Sequence, residues 1–248
     1  MARHELRVGC AGWNHDWRGT LYAEDLPKRR WLEGYAERLD SVEVNSTFYG
    51  APKEKTVTAW AEQVPDGFLF CCKMSRYVTH IKRLADSPAK NFKLDEGVQR
   101  FFTAVEPLRA AGKLGPTLWQ LPPNFKRDDD RLAHALSLLP PGRHAFEFRH
   151  PSWYVEPVYA ALRERDAALV VIDDPELDFP TREITAGWAY VRFHRGSRGR
   201  GGEYSDAELA TWRRRIGAWR ARADVHAYFN NGTAAIAPLS ALALRGRR

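Results

Sequence analysis

The sequence predicts an α/β fold, a single (β/α)8 TIM-type barrel over residues 1–248. Eight stretches of strand length alternate with helical stretches, as in parallel sheets covered by helices. No linker or shift in composition divides the chain, and 248 residues is a usual length for one such barrel. An open doubly wound sheet is the alternative, although the sequence carries neither a glycine-rich dinucleotide fingerprint nor a phosphate-binding P-loop.

Strands are indicated by short apolar runs and by residues of alternating polarity. They are predicted at residues 6–10, 41–45, 68–73, 116–121, 145–149, 168–173, 188–194 and 225–230. The sixth is a continuous apolar run, which is typical of a strand buried on both faces. In the second, fifth and seventh, charged residues two positions apart share one face of the strand.

Helical spacing fills the intervals between these strands, with one exception. Helices are predicted at residues 28–38, 56–64, 94–110, 129–139, 152–165, 206–220 and 233–244. Between the sixth and seventh strands, a short irregular link takes the place of a helix. Ser152 and Ser205 are the predicted N-caps of the helices that follow them, because each hydroxyl can accept a hydrogen bond from a first-turn N–H.

The charge and cysteine content narrow the class of protein. The net charge of +7 leaves nucleic acid open as a partner, but the excess is concentrated at 195–200, 213–215 and the C-terminal tail. Three cysteines are too few for a disulfide framework, and no apolar run could cross a bilayer. We therefore expect a cytoplasmic protein without a membrane partner; the oligomeric state is not predicted.

Polar residues recur where the predicted strands end. They are Glu43, Asn45, Lys73, Gln120, Glu147, Arg149, Asp173, Arg192, His194 and Asn230, with His80, His150 and Tyr228 close by in the sequence. The carboxyl ends of the strands meet at one mouth of a TIM barrel, where its active sites lie. Burying so many polar groups together is costly unless they serve a function, and the sequence therefore predicts a functional site at this mouth.

The residue types at this mouth predict acid–base chemistry on an anionic molecule. Glu43, Glu147 and His194 are the candidate catalytic acids and bases. Arginine and lysine bind phosphate or carboxylate groups, and amides orient a substrate. The candidate substrate-binding residues are Asn45, Lys73, His80, Gln120, Arg149, His150, Asp173, Arg192, Tyr228 and Asn230. No cofactor and no metal ligand are predicted, although a divalent cation remains open because carboxylate and imidazole suit one.

Two further expectations concern particular segments. The Arg- and Gly-rich loop at 195–204 is predicted to be a mobile lid over the mouth. Glu147 and Arg149 point the same way but need not touch, because same-face residues on a strand lie about 6.6 Å apart. If they line a solvated site, Glu147→Gln should stay within about 1 kcal/mol of the wild type in stability. A much larger loss would indicate a structural ion pair.

Seven motifs, in order along the chain, are similar to those of a known family. They are GCAGW (9–13), VEVNSTFY (42–49), THIKRL (79–84), KLGP (113–116), QLPP (120–123), EFRHPSW (147–153) and YFNN (228–231). Together they resemble the domain-of-unknown-function 72 family, also called YecE-like, over nearly the whole chain. The resemblance implies a TIM-type barrel and supplies no reaction. The sequence departs from the family pattern at 13–17, 194–196 and 238–239.

Three functions remain open at this point. The first is a hydrolase or lyase acting on a small anionic molecule. The second is nucleic-acid binding or processing, with a nucleotide in the mouth and the basic loop on the phosphates. The third is a metabolite-binding module without catalysis. A glycosidase-like use of both glutamates would need carboxyl groups about 5–9.5 Å apart.

Overall fold

Parallel strands and covering helices alternate through the computed structural model, which describes residues 4–177, 182–197, 202–231 and 235–246. The strands are β1 (Leu6–Cys10), β2 (Ser41–Val44), β3 (Leu69–Cys72), β4 (Thr117–Gln120), β5 (His144–Glu147), β6 (Ala168–Asp173), β7 (Trp188–Phe193) and β8 (Asp224–Phe229). The helices are α1 (Trp31–Ala36), α2 (Ser46–Tyr49), α3 (Glu54–Glu62), α4 (Leu94–Ala110), α5 (Asp129–Ser137), α6 (Glu156–Glu164), α7 (Asp206–Trp219) and α8 (Ile236–Arg245). The predicted α/β alternation is confirmed.

The strands form two parallel sheets. Six strands pair in the order β1-β8-β7-β6-β5-β4, and β2 pairs with β3. Isolated bridges join the two sheets, at Ala11 with Glu43 on one side and at Phe70 with Leu114 and Lys73 with Leu118 on the other. The prediction of one closed eight-stranded ladder is therefore confirmed only in part: the strands curl as in a TIM-like fold, but the ladder is interrupted at two seams.

Each seam contains a glycine that lets the backbones approach closely. A Cβ placed on Gly9 of β1 would lie 2.0 Å from the carbonyl oxygen of Ser41 in β2. A Cβ on Gly115, just before β4, would lie 2.9 Å from Cys71 Sγ. Any larger residue would push the strands apart, because a Cβ has no room there. The glycines thus allow the two sheets to meet.

Gly9→Ala is expected to destabilise the fold by about 1–3 kcal/mol or more, because the methyl group overlaps a backbone carbonyl that cannot rotate away. Gly217→Ala is the matched control, since a Cβ at this position in α7 meets nothing within 4 Å. It should stabilise the protein by about 0.4–1 kcal/mol through its higher helix propensity. Urea denaturation measures both changes. Equal stabilities for the two variants would show that the seam is not tightly packed.

Two apolar clusters separate the interior of the strand layer from its outer surface. In β6, Leu169 and Val171 belong to the cluster that includes helical residues, whereas Val170 and Ile172 belong to a cluster made mostly of strand residues. Both faces of the strand are buried, which explains its continuous apolar sequence. Trp119 belongs to the cluster that includes helical residues, where it packs in the core.

Local signals predicted one helix start correctly and misplaced another. Ser205 caps α7 in a capping box with Glu208, whose backbone N–H it binds. Ser152, in contrast, does not cap α6: its N–H donates to the His150 side chain, and residues 151–153 form a 3-10 turn. The extended Val155 stands at the N-cap of α6 instead. Pro151 fixes the intervening turn, so the chain enters the helix one turn later than predicted.

The described parts of two loops can be compared with their predictions. Residues 174–177 and 182–187, between β6 and β7, contain no helix, as expected for this link. At the base of the 195–204 loop, the Gly196 N–H donates to the Gly202 carbonyl at 2.8 Å. Residues 198–201, four of the ten residues of the predicted lid, lie outside the described residues. In the described part of the chain, we find no helix long and apolar enough to span a membrane.

Candidate functional site

A buried arginine between two buried glutamates forms the centre of the site. Arg192, in β7, binds Glu43 of β2 through two hydrogen bonds, Nε to Oε2 at 2.9 Å and Nη2 to Oε1 at 2.7 Å. Its Nη1 donates to Glu147 Oε2 of β5 at 2.5 Å. All three side chains are at most 1% exposed. The fork of the guanidinium suits this geometry, because it can serve two carboxylates at once.

From Glu147, a directional chain of hydrogen bonds leads to a lysine. Gln120 Nε2 donates to Glu147 Oε1 at 2.6 Å, and Lys73 Nζ donates to Gln120 Oε1 at 2.7 Å. Gln120 and Glu147 are register partners in β4 and β5, which places their side chains next to each other. The amide is held in one orientation, because its oxygen faces an ammonium and its nitrogen a carboxylate.

Partly exposed groups surround this buried chain at the carboxyl ends of the strands. Arg149 Nη1 donates to Glu147 Oε1 at 3.3 Å, and its Nη2 lies 3.6 Å from Asp174 Oδ2. His194 Nε2 is 3.4 Å from Arg192 Nη1 and 3.8 Å from Glu147 Oε1. Asn230 Nδ2 lies 3.5 Å from His194 Nδ1. These side chains lie together at the predicted mouth.

Burial and neighbouring charges shift the pKa values of these groups. Burial raises the pKa of the Glu147 carboxyl, but Arg192, followed by His194 and Arg149, more than reverses this and holds it well below its usual range. Burial and then Arg192 lower the pKa of Lys73 to about 8. The same two causes lower the pKa of His194 to about 4. At neutral pH the site thus contains an ionised Glu147 carboxylate, the neutral imidazole of His194 and a Lys73 amine that loses its proton readily.

His194 should make the protein sensitive to acid. Its folded pKa of about 4 lies below the unfolded value, so the unfolded chain binds the proton more readily. Stability is therefore expected to fall as the pH drops from about 6.5 towards 4. In His194→Asn, part of this loss should disappear, as measured by the urea midpoint at pH 7 and pH 4.5. His134→Asn, in α5 and outside the cluster, should keep the wild-type pH dependence; an unchanged loss in His194→Asn would contradict the prediction.

Two other predicted residues lie beside the central chain. His80 packs edge-on against the Phe48 ring at 4.8 Å, and the Lys73 ammonium lies 4.2 Å from the centre of the same ring. Burial, followed by the charge of Lys73, lowers the pKa of His80 to about 4. Asn45 follows β2 and lines a cavity of about 490 Å³ together with His15. Its Oδ1 is buried without a hydrogen-bond partner in the described structure.

Three predicted site residues lie elsewhere. Asp173 points to the outer face of β6, where its Oδ2 accepts a hydrogen bond from Trp212 Nε1 at 2.8 Å, because Val170 and Ile172 occupy the inner positions. Tyr228 points inward but is fully buried below the mouth, 2.6 Å from Ser41 Oγ. His150 Nδ1 accepts from the Ser152 N–H at 3.2 Å and so closes the 3-10 turn. Among the described residues, none of these three side chains has a hydrogen bond or ion pair to Arg192, Glu43, Glu147 or His194, although the Asp173 backbone carbonyl accepts from the His194 N–H at 2.9 Å.

Sequence reasoning missed two members of the cluster. Tyr190 donates its hydroxyl to Glu43 Oε2 at 2.9 Å. It lies two residues before Arg192, so extending the shared face of β7 by one step would have found it. Asp174, beside Arg149, stands one residue beyond the end of β6. No periodicity signal reaches it, because alternation stops where the strand ends.

The centre of the cluster also bears on metal binding. A divalent cation would fit between two converging carboxylates, but the Arg192 guanidinium occupies that position. Among the described residues, no group of three or more His, Cys, Asp or Glu side chains is placed to hold a metal ion. This arrangement gives no support to a metal centre here; the sequence-based expectation on metals stays a prediction.

The basic segment 213–215 is partly engaged within the protein. Arg213 donates to the carbonyl of Ala243 at 2.9 Å, and Arg215 stacks over Trp212 at 4.5 Å. Arg214 Nη2 donates to Thr211 Oγ1 at 3.0 Å, so all three arginines are tied to the surface of α7 and α8. They give no specific support to nucleic acid as a partner.

Parallel strands that alternate with helices, with charged groups gathered at the strand ends, define an α/β protein of the TIM-like type. The model of the family described as "Protein of unknown function DUF72" matches residues 7–247. The chain belongs to this family, which confirms the resemblance inferred from the motifs.

Known relatives agree with this assignment. The UPF0759 protein YecE of Escherichia coli K12 is 32% identical over 149 residues, which cover 57% of this chain and 52% of YecE. The match thus spans about half the length of that relative. A DUF72 family protein (TM1631) from Thermotoga maritima, solved by crystallography, is 29% identical with a TM-score of 0.84, over 98% of both chains.

A more distant similarity concerns the fold alone. D-psicose 3-epimerase from Clostridium cellulolyticum H10, solved with D-tagatose, has a TM-score of 0.53 at 10% identity, over 90% of this chain and 84% of the epimerase. This supports the TIM-like arrangement of strands and helices.

Proposed function

We propose that this protein is an enzyme of the hydrolase or lyase type that carries out acid–base chemistry on a small, polar, anionic molecule. The whole chain acts as one TIM-type barrel domain, in which the two sheets enclose a common site at the carboxyl ends of their strands. The ligand occupies the space above the buried Arg192, between Arg149, Lys73 and His194.

One observation carries the proposal: two cations at this end have most of their donors unused. Arg149 has five N–H donors, yet its one hydrogen bond among the described residues is the long contact of 3.3 Å to Glu147. Lys73 has three donors, of which Gln120 accepts one. Arginine and lysine with free donors at a strand-end site are suited to carboxylate or phosphate.

The remaining residues take roles that follow from their exposure. His194 is neutral and partly exposed, so it is the proposed acid–base group. Glu43 and Glu147 are fully buried and bridged by Arg192, so they position that arginine rather than contact the substrate. The Arg192 guanidinium fills the space between the two carboxylates. A glycosidase pair would need that space for water or a sugar. Asn45, Gln120 and Asn230 orient the ligand.

Ligand-dependent stabilisation tests the proposal. Phosphate and oxalate should raise the melting temperature of the wild type, and Arg149→Gln should abolish most of that rise. Arg30→Gln is the matched control, because Arg30 is an exposed arginine that pairs with Glu33 and has no hydrogen bond or ion pair to Arg149, Lys73 or His194 among the described residues. No rise with either anion, or an equal rise in Arg149→Gln, would contradict an anion site at this position.

A nucleic-acid function predicts a different result in the same experiment. Binding of single-stranded DNA should then be tight, depend steeply on salt and survive Arg149→Gln, because it would rest on phosphate contacts of the surface arginines. That outcome would replace the small-molecule proposal.

A further inference from the structure

We propose that Lys73 is a nucleophilic amine that condenses with the carbonyl carbon of an anionic aldehyde or ketone to form a Schiff base. This deepens the proposed function, and rests on it for the anion site at Arg149. It names the substrate class and gives Lys73 a covalent role in place of simple charge pairing.

The position of Lys73 suits such a role. It directly follows β3, where its backbone N–H donates to the Val44 carbonyl at 3.2 Å and fixes the start of the side chain. The ammonium lies over the Phe48 ring, 4.2 Å from its centre. The residue is 9% exposed, so most of its length is packed while the side chain reaches the strand-end site. A held, partly desolvated amine is easier to align with an incoming carbonyl carbon.

The partners of the amine leave its positive charge poorly compensated. No carboxylate within the described structure forms an ion pair with Lys73, and its hydrogen-bond acceptor is the neutral amide of Gln120. The nearby carboxylates of Glu43 and Glu147 are already bound to Arg192. A lysine that is desolvated and next to other cations is an activated nucleophile, because the neutral amine becomes accessible near neutral pH. The pKa of about 8 means that roughly a tenth of the amine is neutral at pH 7.

Lys113 shows what a structural lysine looks like in the same molecule. It is 8% exposed, nearly the same as Lys73. Its ammonium, however, donates at 2.8 Å to the carbonyls of both Ala61 and Val64, and lies 3.8 Å from Asp66 Oδ1. Lys113 thus ties the C-terminal end of α3 to the segment just before β4, whereas Lys73 has one neutral hydrogen-bond acceptor and faces the mouth. Burial alone does not distinguish the two; their partners do.

The condensation balances without an oxidant or reductant. The lone pair of the neutral amine attacks the carbonyl carbon, a C–N bond forms, and the π electrons move to the oxygen. The oxygen takes a proton and the nitrogen gives one up, which yields a neutral carbinolamine. The hydroxyl then takes a second proton and leaves as water with the electrons of the C–O bond, the nitrogen lone pair forms the C=N bond, and the nitrogen loses its remaining proton. An aldehyde or ketone and an amine thus yield an imine and water. His194 and His80, both neutral, can accept and return the protons. Arg149 holds the carboxylate or phosphate of the substrate.

Reductive trapping on the wild-type protein tests the proposal. The full chain is incubated at pH 8 with glyoxylate and sodium cyanoborohydride, and peptide mass spectrometry measures adduct on each lysine. We expect Lys73 to be modified at least about tenfold faster than the exposed Lys55, because burial and the nearby Arg192 make the neutral amine of Lys73 more accessible. Lys113 should be modified least, and the rate at Lys73 should reach half its maximum near pH 8.

A neutral aldehyde separates this inference from the function on which it rests. Acetaldehyde should also modify Lys73 faster than Lys55. Arg149→Gln should slow trapping by glyoxylate much more than trapping by acetaldehyde, because the neutral aldehyde loses only the small effect of the Arg149 charge on the Lys73 amine. If glyoxylate shows no advantage in the wild type while acetaldehyde still selects Lys73, the anion site is wrong and the nucleophile stands. If neither aldehyde selects Lys73 over Lys55, the Schiff-base proposal is overturned whatever the anion experiments show.

Discussion

Arg192→Met is expected to bring the protein close to unfolding at neutral pH. The change removes the guanidinium from between Glu43 and Glu147 and leaves two carboxylates buried without their counter-charge. Breaking one buried pair costs about 3–5 kcal/mol, and here two pairs share the arginine. The loss is thus comparable with the 5–15 kcal/mol by which domains are usually stable. Urea denaturation at pH 7 measures it, with Arg30→Met as the surface control.

The pH dependence of the Arg192→Met variant should reverse in sign. In the wild type the folded pKa of Glu147 is lowered, so its contribution is present above about pH 4.5 and is lost as the pH falls towards the folded value. Without the arginine, burial raises the pKa of the Glu147 carboxyl, and stability then falls as the pH rises. The triple variant with Glu43→Gln and Glu147→Gln should recover much of the loss. An Arg192→Met variant that is as stable as the wild type at pH 7 would contradict a buried charge cluster.

Glu147→Gln is expected to cost about 3 kcal/mol or more, well beyond the 1 kcal/mol expected from the sequence. Glu147 accepts hydrogen bonds from Arg192, Gln120 and Arg149. A glutamine supplies one oxygen and presents an NH₂ group to the remaining donors. Gln120 cannot turn to accommodate it, because its own oxygen accepts from Lys73. Thermal unfolding should show a loss on the order of 10 °C for a chain of this length.

Asp174→Asn is the matched control for this change, because it neutralises a carboxylate that lies 3.6 Å from Arg149 at the partly exposed rim. It should remain within about 1 kcal/mol of the wild type. Glu147→Gln should also move the pH profile of Lys73 trapping to lower pH, since the Glu147 charge raises the pKa of Lys73. If the stability of Glu147→Gln lies within about 1 kcal/mol of the wild type, Glu147 lines a solvated site, as predicted from the sequence.

The sequence predicts the fold well where periodicity and chain order suffice. α4 and β6 were predicted with the bounds that the structure shows, because a long amphipathic pattern and a continuous apolar run are unambiguous. Two-residue spacing also placed Glu147 with Arg149, and Arg192 with His194, on common faces. What spacing could not show is contact: Glu147 and Arg149 bend towards each other to 3.3 Å.

Asp173 and Tyr228 were predicted to lie at the site because they stand at or near strand ends, and their actual positions show what this criterion lacks. Asp173 ends β6, yet it points outward because the inward phase is set by Val170 and Ile172, which are apolar like their outward neighbours. In a strand buried on both faces, both sets of alternate residues are apolar, so the sequence does not show which set points inward. Tyr228 is inward but too deep to reach the mouth. Burial depth depends on the stagger between neighbouring strands, which is a property of the folded sheets.

The two seams between the sheets also have a kinetic consequence. β2 and β3 pair with each other but reach the rest of the strand layer only through isolated bridges. Their amide hydrogens should therefore exchange with solvent through partial openings that leave the six-stranded sheet intact. Glu43 lies in the two-stranded sheet and Arg192 in the six-stranded sheet, so their ion pair stabilises the contact between the two sheets. A ligand that binds Arg192 or Lys73 would change how often the two sheets separate. Deuterium uptake in β2 and β3 would therefore report ligand binding directly.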